Sequence, residues 1–253
     1  MLIDTHAHIQ FDPDESKMDE VLRRAEQAEV KYVVCPGIDP ETSRKAIELT
    51  EQYENVFATV GIHPHDCEAL PSDWLHQIEE LAAHQKVVAL GEMGLDYFKD
   101  YTPRSRQRAV FREQLALAKS LNLPVVVHNR EADEDIETLL AEDGTGSGVL
   151  HCFTSSLEFA ERMVDRGYHI SFTGIATFGN TTVEQAIRGL DLNHMMVETD
   201  SPFLAPVPHR GKTNEPAYVR FVAGKISELK DIPVEEVARI TTENARQFFR
   251  LPV

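Results

Sequence analysis

The chain has 253 residues and a formal net charge of −17, from 25 basic and 42 acidic side chains. This excess of negative charge disfavours non-specific coating of nucleic acid, although a local metal site could still bind a phosphate-bearing substrate. No stretch approaches the roughly 20 apolar residues of a membrane span, and the N-terminus lacks the features of a secretory signal. The three cysteines, Cys35, Cys67 and Cys152, are too few and too widely spaced for a disulfide framework, so we expect a reducing cytoplasm.

Short β-branched runs alternate with longer amphipathic stretches along the whole chain, without a linker or a repeat. The eight predicted strands are Leu2–Thr5, Tyr32–Cys35, Val56–Gly61, Val87–Gly91, Pro124–His128, Gly148–His151, His169–Phe172 and Met195–Glu198. The predicted helices are Ser16–Glu29, Pro40–Glu54, Pro71–Gln85, Thr102–Leu121, Glu131–Glu142, Ser156–Gly167, Thr181–Gly189, Glu215–Leu229 and Val234–Phe249. In the clearest helix, Thr102 is the predicted N-cap and Pro103 belongs to the first turn.

Eight strands alternating with helices have the size and rhythm of a (β/α)₈ barrel, which typically has about 250 residues. We therefore expect one α/β domain, residues 1–253. An open doubly wound sheet gives the same alternation. The count of eight, and the lack of a GxGxxG motif after the first strand, favour the barrel.

Side chains that bind metals follow most of the predicted strands. His6 and His8 would point to the same side of an extended strand, and converging neutral imidazoles suit a divalent metal. In a barrel, the C-terminal ends of all strands meet at the face where active sites are built. The other polar candidates at these ends are His63, Glu92, His128, Arg130, His151 and Asp200, of which His63 and Arg130 are not counted as metal ligands.

Four imidazoles and two carboxylates exceed the three protein ligands of a single catalytic zinc ion. Six ligands suit two metal ions about 3.5–4 Å apart. Glu92 is the candidate bridge because one carboxylate can bind two cations, and the alternative is a salt bridge under a loop. The identity of the metal ion stays open, since imidazole suits zinc while carboxylates and phosphoryl oxygens suit magnesium or manganese.

The ordered motifs IDTHAH, GIHP, GEMGLDY, VHNR, HCF and ETDSP closely resemble the TatD family of metal-dependent deoxyribonucleases, a group of amidohydrolase-like barrels. The likeness continues to Asn214-Glu215-Pro216 and to the segment Thr242–Phe249. The resemblance implies a substrate-phosphate contact at His63. It also implies six metal ligands with Glu92 bridging, namely His6, His8, Glu92, His128, His151 and Asp200.

Several polar side chains near these motifs have two interpretations. His63 could hold a phosphoryl oxygen or cap loop backbone. Arg130 could clamp a phosphate or pair with Glu131 or Asp133. The thiol of Cys152 is expected to be inert, because a thiol in a packed strand is usually unreactive.

Asp96 and Glu198 could orient ligand histidines or stabilise turns. Two basic stretches, Lys99–Arg112 and His209-Arg210-Gly211-Lys212, could rim the site and follow a nucleic-acid backbone. For the first stretch, a solvated helix face balanced by acidic residues is at least as good an explanation. The remaining histidines are expected to be surface or structural residues, namely His65, His76, His84, His169, His194 and His209.

The expected activity is two-metal hydrolysis of phosphodiester bonds in DNA, with RNA as a second substrate and with single strands or ends preferred. Glu92, Asp200 and His63 are the expected catalytic residues, with Asp200 as general base. One alternative is an amidohydrolase acting on a C–N or C–O bond, but many such barrels bridge their metals with a carboxylated lysine. A non-enzymatic metal-binding scaffold is the other. Neither a membrane nor an obligate protein partner is expected.

Overall fold

A computed structural model describes residues 1–11, 17–99 and 101–252, and these form eight parallel strands in the order β1 to β8. The strands are β1 (Leu2–Asp4), β2 (Val30–Pro36), β3 (Val56–Val60), β4 (Val87–Asp96), β5 (Val125–Arg130), β6 (Gly148–Leu150), β7 (Tyr168–Phe172) and β8 (Met195–Val197). The helices are α1 (Met18–Gln27), α2 (Pro40–Gln52), α3 (Trp74–Ala82), α4 (Arg104–Leu121), α5 (Asp133–Asp143), α6 (Leu157–Asp165), α7 (Thr181–Gly189), α8 (Val219–Lys230) and α9 (Val234–Phe248). The predicted (β/α)₈ barrel is confirmed.

The last and first strands meet just beyond their C-terminal ends. The amide of Asp200 donates to the carbonyl oxygen of His6 at 2.9 Å, and the amide of His8 donates to the carbonyl oxygen of Ser201 at 2.7 Å. Because these bonds involve predicted ligands, the same contacts bring β8 to β1 and fix three ligand positions.

The barrel interior is filled by one apolar residue from each of seven strands. Since neighbouring residues of a strand point to opposite faces, the next residues along pack outward against the helices. The N-terminal end of the barrel is covered by α9, whose Asn244 side chain donates to the carbonyl oxygen of Met195 at 2.7 Å. The polar site is therefore left at the C-terminal end. The interior residues are Ile3, Val34, Phe57, Ala89, Val126, Val149 and Met196.

The fourth strand is longer than predicted. The predicted apolar run ended at Gly91 with Glu92 at the strand end, whereas β4 continues to Asp96, so Glu92 lies inside the strand. The pairing of β4 with β5 shifts register between Leu90 and Met93 and then resumes. Such an irregularity breaks the alternation of side chains on which the sequence prediction rests.

The predicted N-cap of α4 is wrong. The helix begins at Arg104 with Pro103 as its N-cap, and the hydroxyl of Thr102 donates to the carbonyl oxygen of His65 at 3.0 Å. Thr102 therefore ties the start of this helix to the loop after β3. The predicted start of the first helix, Ser16, lies outside the described residues.

The predicted helix Glu215–Leu229 begins at Val219 instead, because Pro216–Tyr218 form a separate 3₁₀ turn. The other helices and strands differ from their predictions mainly at the ends, where turns fray and hydrogen bonding changes type.

Candidate metal centre

The ligands after β1 and β8 are held by a buried carboxylate that joins the two strands. Oδ1 of Asp4 accepts from the amide of Thr199 at 2.9 Å, and Oδ2 accepts from the Thr199 hydroxyl at 2.6 Å. Burial raises the pKa of Asp4 to about 8, although the hydrogen bonds from Thr199 act in the opposite direction. These bonds place His6 and Asp200, two residues beyond Asp4 and one beyond Thr199, next to each other.

A first cluster of donor atoms forms at this joint. Nε2 of His6 lies 3.2 Å from Nε2 of His8 and 3.2 Å from Oε2 of Glu92. Nε2 of His8 lies 3.5 Å from Oε2 of Glu92 and 3.5 Å from Oδ1 of Asp200. These four residues belong to overlapping groups in which the ligand atoms lie within 4.8 Å of one another.

A second cluster surrounds the other oxygen of Glu92. Oε1 lies 2.8 Å from Nε2 of His151 and 2.9 Å from Nδ1 of His128, and these two nitrogens are 3.2 Å apart. Nε2 of His63 lies 3.4 Å from the same oxygen. The two oxygens of Glu92 therefore face different sets of histidines, His6 and His8 on one side and His128, His151 and His63 on the other.

Two glycines allow β4 to bring Glu92 into this position. Gly91 and Gly94 have φ values of +132° and +147°, which side chains rarely adopt. A Cβ at Gly94 would overlap the carbonyl oxygen of His128, and one at Gly91 would overlap that of Val126. The GEMG sequence thus lets β4 lie against β5 on both sides of the carboxylate.

Two further carboxylates lie behind the histidines of the second cluster. Oδ2 of Asp96 lies 3.2 Å from Nε2 of His128, and Oε1 of Glu198 lies 3.4 Å from Nδ1 of His151. Oε1 of Glu198 also accepts from the amide of Cys152 at 2.6 Å. Both carboxylates are buried and both lie where they can orient a ligand ring.

The cluster is strongly coupled electrostatically. Burial opposes ionisation of Glu92, but the imidazoles of His151, His63 and His6 hold the pKa of this carboxyl well below its usual range. Burial likewise disfavours a charged His151, yet Glu92 and Glu198 raise its pKa well above the ordinary value. The Glu92 carboxylate is therefore held ionised by the imidazoles around it, and an ionised carboxylate among imidazoles suits a cation.

The donor set fits divalent metal ions. The facing nitrogens of His6 and His8, and those of His128 and His151, are each 3.2 Å apart beside carboxylate oxygens. Imidazole nitrogens that turn lone pairs towards one point repel each other unless a proton or a cation lies between them. Mixed nitrogen and oxygen donors of this kind are typical ligands of zinc, manganese and related ions.

Comparison with known proteins gives the family. Residues 3–250 match the family model described as TatD related DNase. The chain belongs to the TatD family. It is 44% identical to YabD of Bacillus subtilis strain 168 over 254 residues, which are 99% of this chain and 100% of YabD. It is 40% identical to YcfH of Escherichia coli K12 over 258 residues, 99% of this chain and 96% of YcfH. Both relatives are named uncharacterized metal-dependent hydrolases.

Solved structures agree with this assignment. The crystal structure of YjjV, a TatD homologue from Escherichia coli K12, superposes with a TM-score of 0.94 at 33% identity, covering 99% of this chain and 98% of YjjV. A TatD-family hydrolase from Entamoeba histolytica has the same fold, with a TM-score of 0.90 at 24% identity over 99% of this chain and 98% of that protein. The chain is therefore a TatD-family metal-dependent hydrolase.

His63 lies beside the second cluster and is held by its own loop. Its Nδ1 accepts from the amide of His65 at 3.1 Å, which leaves Nε2 to carry the proton of the neutral ring. Burial, together with the neighbouring rings of His128 and His65, lowers the pKa of His63 to about 4 even though Glu92 acts against this. Nδ1 thus makes the predicted loop contact, while Nε2 faces Oε1 of Glu92 at 3.4 Å.

His65 is part of the site, which the sequence prediction missed. Its Nε2 lies 2.9 Å from Oδ2 of Asp96, and its ring centroid is 4.5 Å from that of His63. The available signal was the spacing, since His63 and His65 repeat the pattern of His6 and His8 after another strand. The prediction treated His65 as a surface or structural residue because it lies outside the sequence motifs.

Arg130 lies at the rim of the centre rather than in it. The side chain is exposed, and its guanidinium carbon lies 3.8 Å above the ring of Phe98. Asp133, one of its predicted partners, instead accepts from Asn129 at 2.6 Å and from Ser155 at 2.7 Å.

The basic stretch Lys99–Arg112 divides into two parts, with Asp100 outside the described residues. Arg112 pairs with Glu142 and Asp143 of α5, each at 2.7 Å, so this end is a solvated helix face balanced by acids. Lys99 and Arg104 are exposed at the other end, next to the loop that follows β4. In the second stretch, Arg210 lies over Phe178 and the ring of His209 stacks on that of Tyr218.

The thiol of Cys152 has the environment of an unreactive group. Burial, then the charges of Asp200 and Glu198, raise the pKa of this thiol well above its ordinary value. Cys35, Cys67 and Cys152 are all free. In residues 1–11, 17–99 and 101–252, none of the helices combines the length and the hydrophobicity needed to cross a membrane.

Proposed function

We propose that this TatD-family hydrolase cleaves phosphodiester bonds of DNA with two divalent cations, either Mg²⁺, Mn²⁺ or Zn²⁺. His6, His8 and Asp200 would hold one cation and His128 and His151 the other, with Glu92 bridging. The observation that carries the proposal is that the two oxygens of Glu92 face different clusters: Oε2 faces His6 and Oε1 faces His151. A carboxylate with one oxygen on each of two donor clusters is the arrangement expected of a bridge.

The chain itself supplies a proton acceptor and a donor on opposite sides of this bridge. Asp200 lies beside His8 at the mouth of the first cluster, where its carboxylate can take the proton of the attacking water. Nε2–H of His63 can donate to a non-bridging phosphoryl oxygen and hold the phosphate in line for attack. Bound divalent cations would supply Lewis acidity that lowers the pKa of that water and offsets charge on the phosphoryl oxygens.

The depth of the donor clusters favours single strands and ends. His6, His8, Glu92 and His151 are all buried at the bottom of the barrel mouth. A phosphodiester within a duplex would have to leave its helix to reach them, whereas a frayed end or a single strand can enter. We therefore propose an exonuclease acting on single-stranded DNA or DNA ends, with single-stranded RNA as a second substrate. Three free thiols are compatible with a reducing cytoplasm as its location.

The test uses protein that has been stripped of metal with a chelator and then reloaded separately with Mg²⁺, Mn²⁺ or Zn²⁺. The substrates are one single-stranded DNA with free or chemically blocked ends, the same sequence as RNA, and a duplex form. We expect metal-dependent release of mononucleotides from free ends and loss of that release in Glu92→Gln. Equal cleavage of blocked and free strands would contradict the exonuclease mode.

A screen of small-molecule substrates tests the alternative reaction class, hydrolysis of C–N or C–O bonds. The same donors would polarise a carbonyl group, so cyclic amides and lactones are assayed with the same reloaded protein. Turnover of these compounds without any cleavage of DNA or RNA would overturn the phosphodiesterase proposal and favour an amidohydrolase.

A further inference from the structure

Exposed aromatic side chains are concentrated at the mouth of the barrel. Within the described ranges, three aromatic residues leave about half or more of their surface in solvent: Phe98 (47%), Tyr101 (65%) and Phe203 (54%). All three lie in the loops that follow β4 and β8, the strands that carry Glu92 and lead to Asp200. Single exposed apolar side chains are common, so the informative observation is that all three exposed rings lie in the two loops beside the donor clusters.

Phe203 forms one wall of the mouth. Its ring centroid lies 6.3 Å from that of His8, at an interplanar angle of 68°. Its amide donates to the carbonyl oxygen of Asp200 at 3.0 Å, and its carbonyl oxygen accepts from the side chain of Asn214 at 2.6 Å. The backbone N–H and C=O of Phe203 are thus both hydrogen-bonded, while its ring stays exposed to solvent.

Phe98 and Arg130 form the other wall. The amide of Phe98 donates to Oδ1 of Asp96 at 3.0 Å, and the guanidinium of Arg130 covers the ring at 3.8 Å. Arg130 is two residues beyond His128 on β5, so both side chains lie on the same side of the strand. The pair therefore faces the second donor cluster, as Phe203 faces the first.

The two walls lie on opposite sides of the site. In a closed sheet with the order β1 to β8, the β8–β1 joint is half a turn away from the β4–β5 pair. Glu92 lies between them, with one oxygen towards each side. A chain of nucleotides that crosses the mouth would place one phosphodiester at the centre and a base at each wall.

We propose that Phe203 on one side, and the Phe98–Arg130 pair on the other, are stacking platforms for the two nucleobases that flank the scissile phosphodiester. This inference rests on the proposed function and names how its substrate is held. Aromatic rings and guanidinium planes both stack on bases, and such contacts tolerate any sequence. The platforms would thus select unpaired bases, because a paired base has its faces occupied by its neighbours.

The charges around the walls fit this ligand. Although the chain carries a net charge of −17, exposed cations lie in the loops that follow β4 and β8. Nζ of Lys99 lies 5.3 Å from the ring centroid of Phe98, and Arg104 covers the neighbouring ring of Tyr97. Arg210 and Lys212 are exposed in the loop that continues from Phe203. Such a placement suits the backbone phosphates on either side of the bound dinucleotide.

The test measures binding separately from cleavage. Metal-loaded protein is titrated with a fluorescent single-stranded DNA made cleavage-resistant by phosphorothioate linkages, and with the same strand carrying abasic residues in place of its bases. We expect the wild-type protein to bind the intact strand about 10-fold or more tightly than the abasic strand, since each stacked base contributes measurably to affinity. Phe203→Ala and Phe98→Ala should lose about 5- to 100-fold in affinity for the intact strand and little for the abasic strand.

Two control variants separate stacking from packing. Val207→Ala removes an exposed apolar side chain from the same loop as Phe203 and should bind both strands as the wild type does. Phe203→Leu keeps an apolar side chain but no ring, and should resemble Phe203→Ala. Thermal unfolding and metal content verify that each variant is folded and loaded.

The outcomes distinguish this inference from the proposed function. Equal affinity of the wild type for intact and abasic strands would overturn the stacking platforms, whether or not the enzyme cleaves DNA. Equal losses for both strands in the alanine variants would also overturn them, since the rings would then act on the phosphates or the fold. Base-dependent binding without cleavage of unmodified DNA would keep the platforms and contradict the nuclease.

Discussion

Oδ2 of Asp96 lies 3.2 Å from Nε2 of His128. Because Nδ1 of the same ring lies 2.9 Å from Glu92, Asp96 determines which nitrogen of His128 faces the centre. We expect Asp96→Asn to weaken one of the two metal sites by about 10- to 100-fold, the range typical of such outer partners. Calorimetric titration of chelated protein with Mn²⁺ measures both sites, and Asp73→Asn, an exposed change on the barrel exterior, is the control. Unchanged affinity at both sites would contradict the assigned role.

His6→Ala should remove one metal site while the fold is retained. His6 contributes Nε2 to the first cluster, 3.2 Å from Oε2 of Glu92, and its ring is buried. We expect about one metal ion per chain to be lost. Turnover should fall by more than roughly 100-fold, the upper end of the loss seen when a group that hydrogen-bonds to a metal ligand is removed. Metal analysis, circular dichroism and kinetics check this, with the exposed His76→Ala as control. Full metal content with unchanged turnover would contradict the ligand assignment.

Gln107→Leu should destabilise the protein and loosen the end of β4. The buried amide of Gln107 donates to the carbonyl oxygens of Asp96 and Thr102 at 3.0 and 2.9 Å and accepts from the amide of Asp96 at 2.9 Å. Leucine leaves three buried backbone groups without partners, at a cost of about 2–4 kcal/mol in the free energy of unfolding. Urea unfolding measures this cost, and Gln85→Leu on the surface should change stability little. A loss as small as that of the control would show that these bonds are replaced by water.

His169 should make the protein less stable in weak acid. Burial, with a smaller effect of His194, lowers the pKa of His169 to about 4 in the folded chain, whereas the unfolded side chain has an ordinary value near 6.5. The unfolded state therefore binds more protons between these values, and the free energy of unfolding decreases as pH falls from about 6.5 to about 4. Below and above that window His169 adds no further pH dependence.

The expected contribution of His169 is about 1–3 kcal/mol, reduced for its partial exposure. Urea unfolding of chelated protein at pH 7 and pH 5 compares the wild type with His169→Gln, whose side chain does not titrate. The variant should lose less stability than the wild type on acidification. The same loss in both would contradict the shift.

The sequence predicted the architecture because the barrel repeats one local pattern eight times. His6, His8 and Asp200 were placed correctly relative to the strands for the same reason, since they follow short runs whose ends the pattern marks. Glu92 was assigned to the end of the fourth strand, whereas β4 continues four residues beyond it. Its position depends on the register shift between β4 and β5 and on glycine conformations at Gly91 and Gly94, which hydrophobic periodicity does not report.

Contacts between distant loops were beyond sequence reasoning. The pairing of His65 with Asp96 joins the loop after β3 to the end of β4, and that of Arg130 with Phe98 joins β5 to the loop after β4. Neither pair has a fixed spacing along the chain. Their geometry depends on how neighbouring loops fold over the barrel mouth, so only the structure identifies them.

The measurement that tests the central claim most directly is anomalous scattering from crystals of chelated protein reloaded with Mn²⁺ or Zn²⁺. The account predicts two peaks about 3.5–4 Å apart. Glu92 should lie between them, one peak beside His6 and His8 and the other beside His128 and His151. A single peak at full occupancy, or two peaks that do not share Glu92, would contradict the bridged two-metal centre.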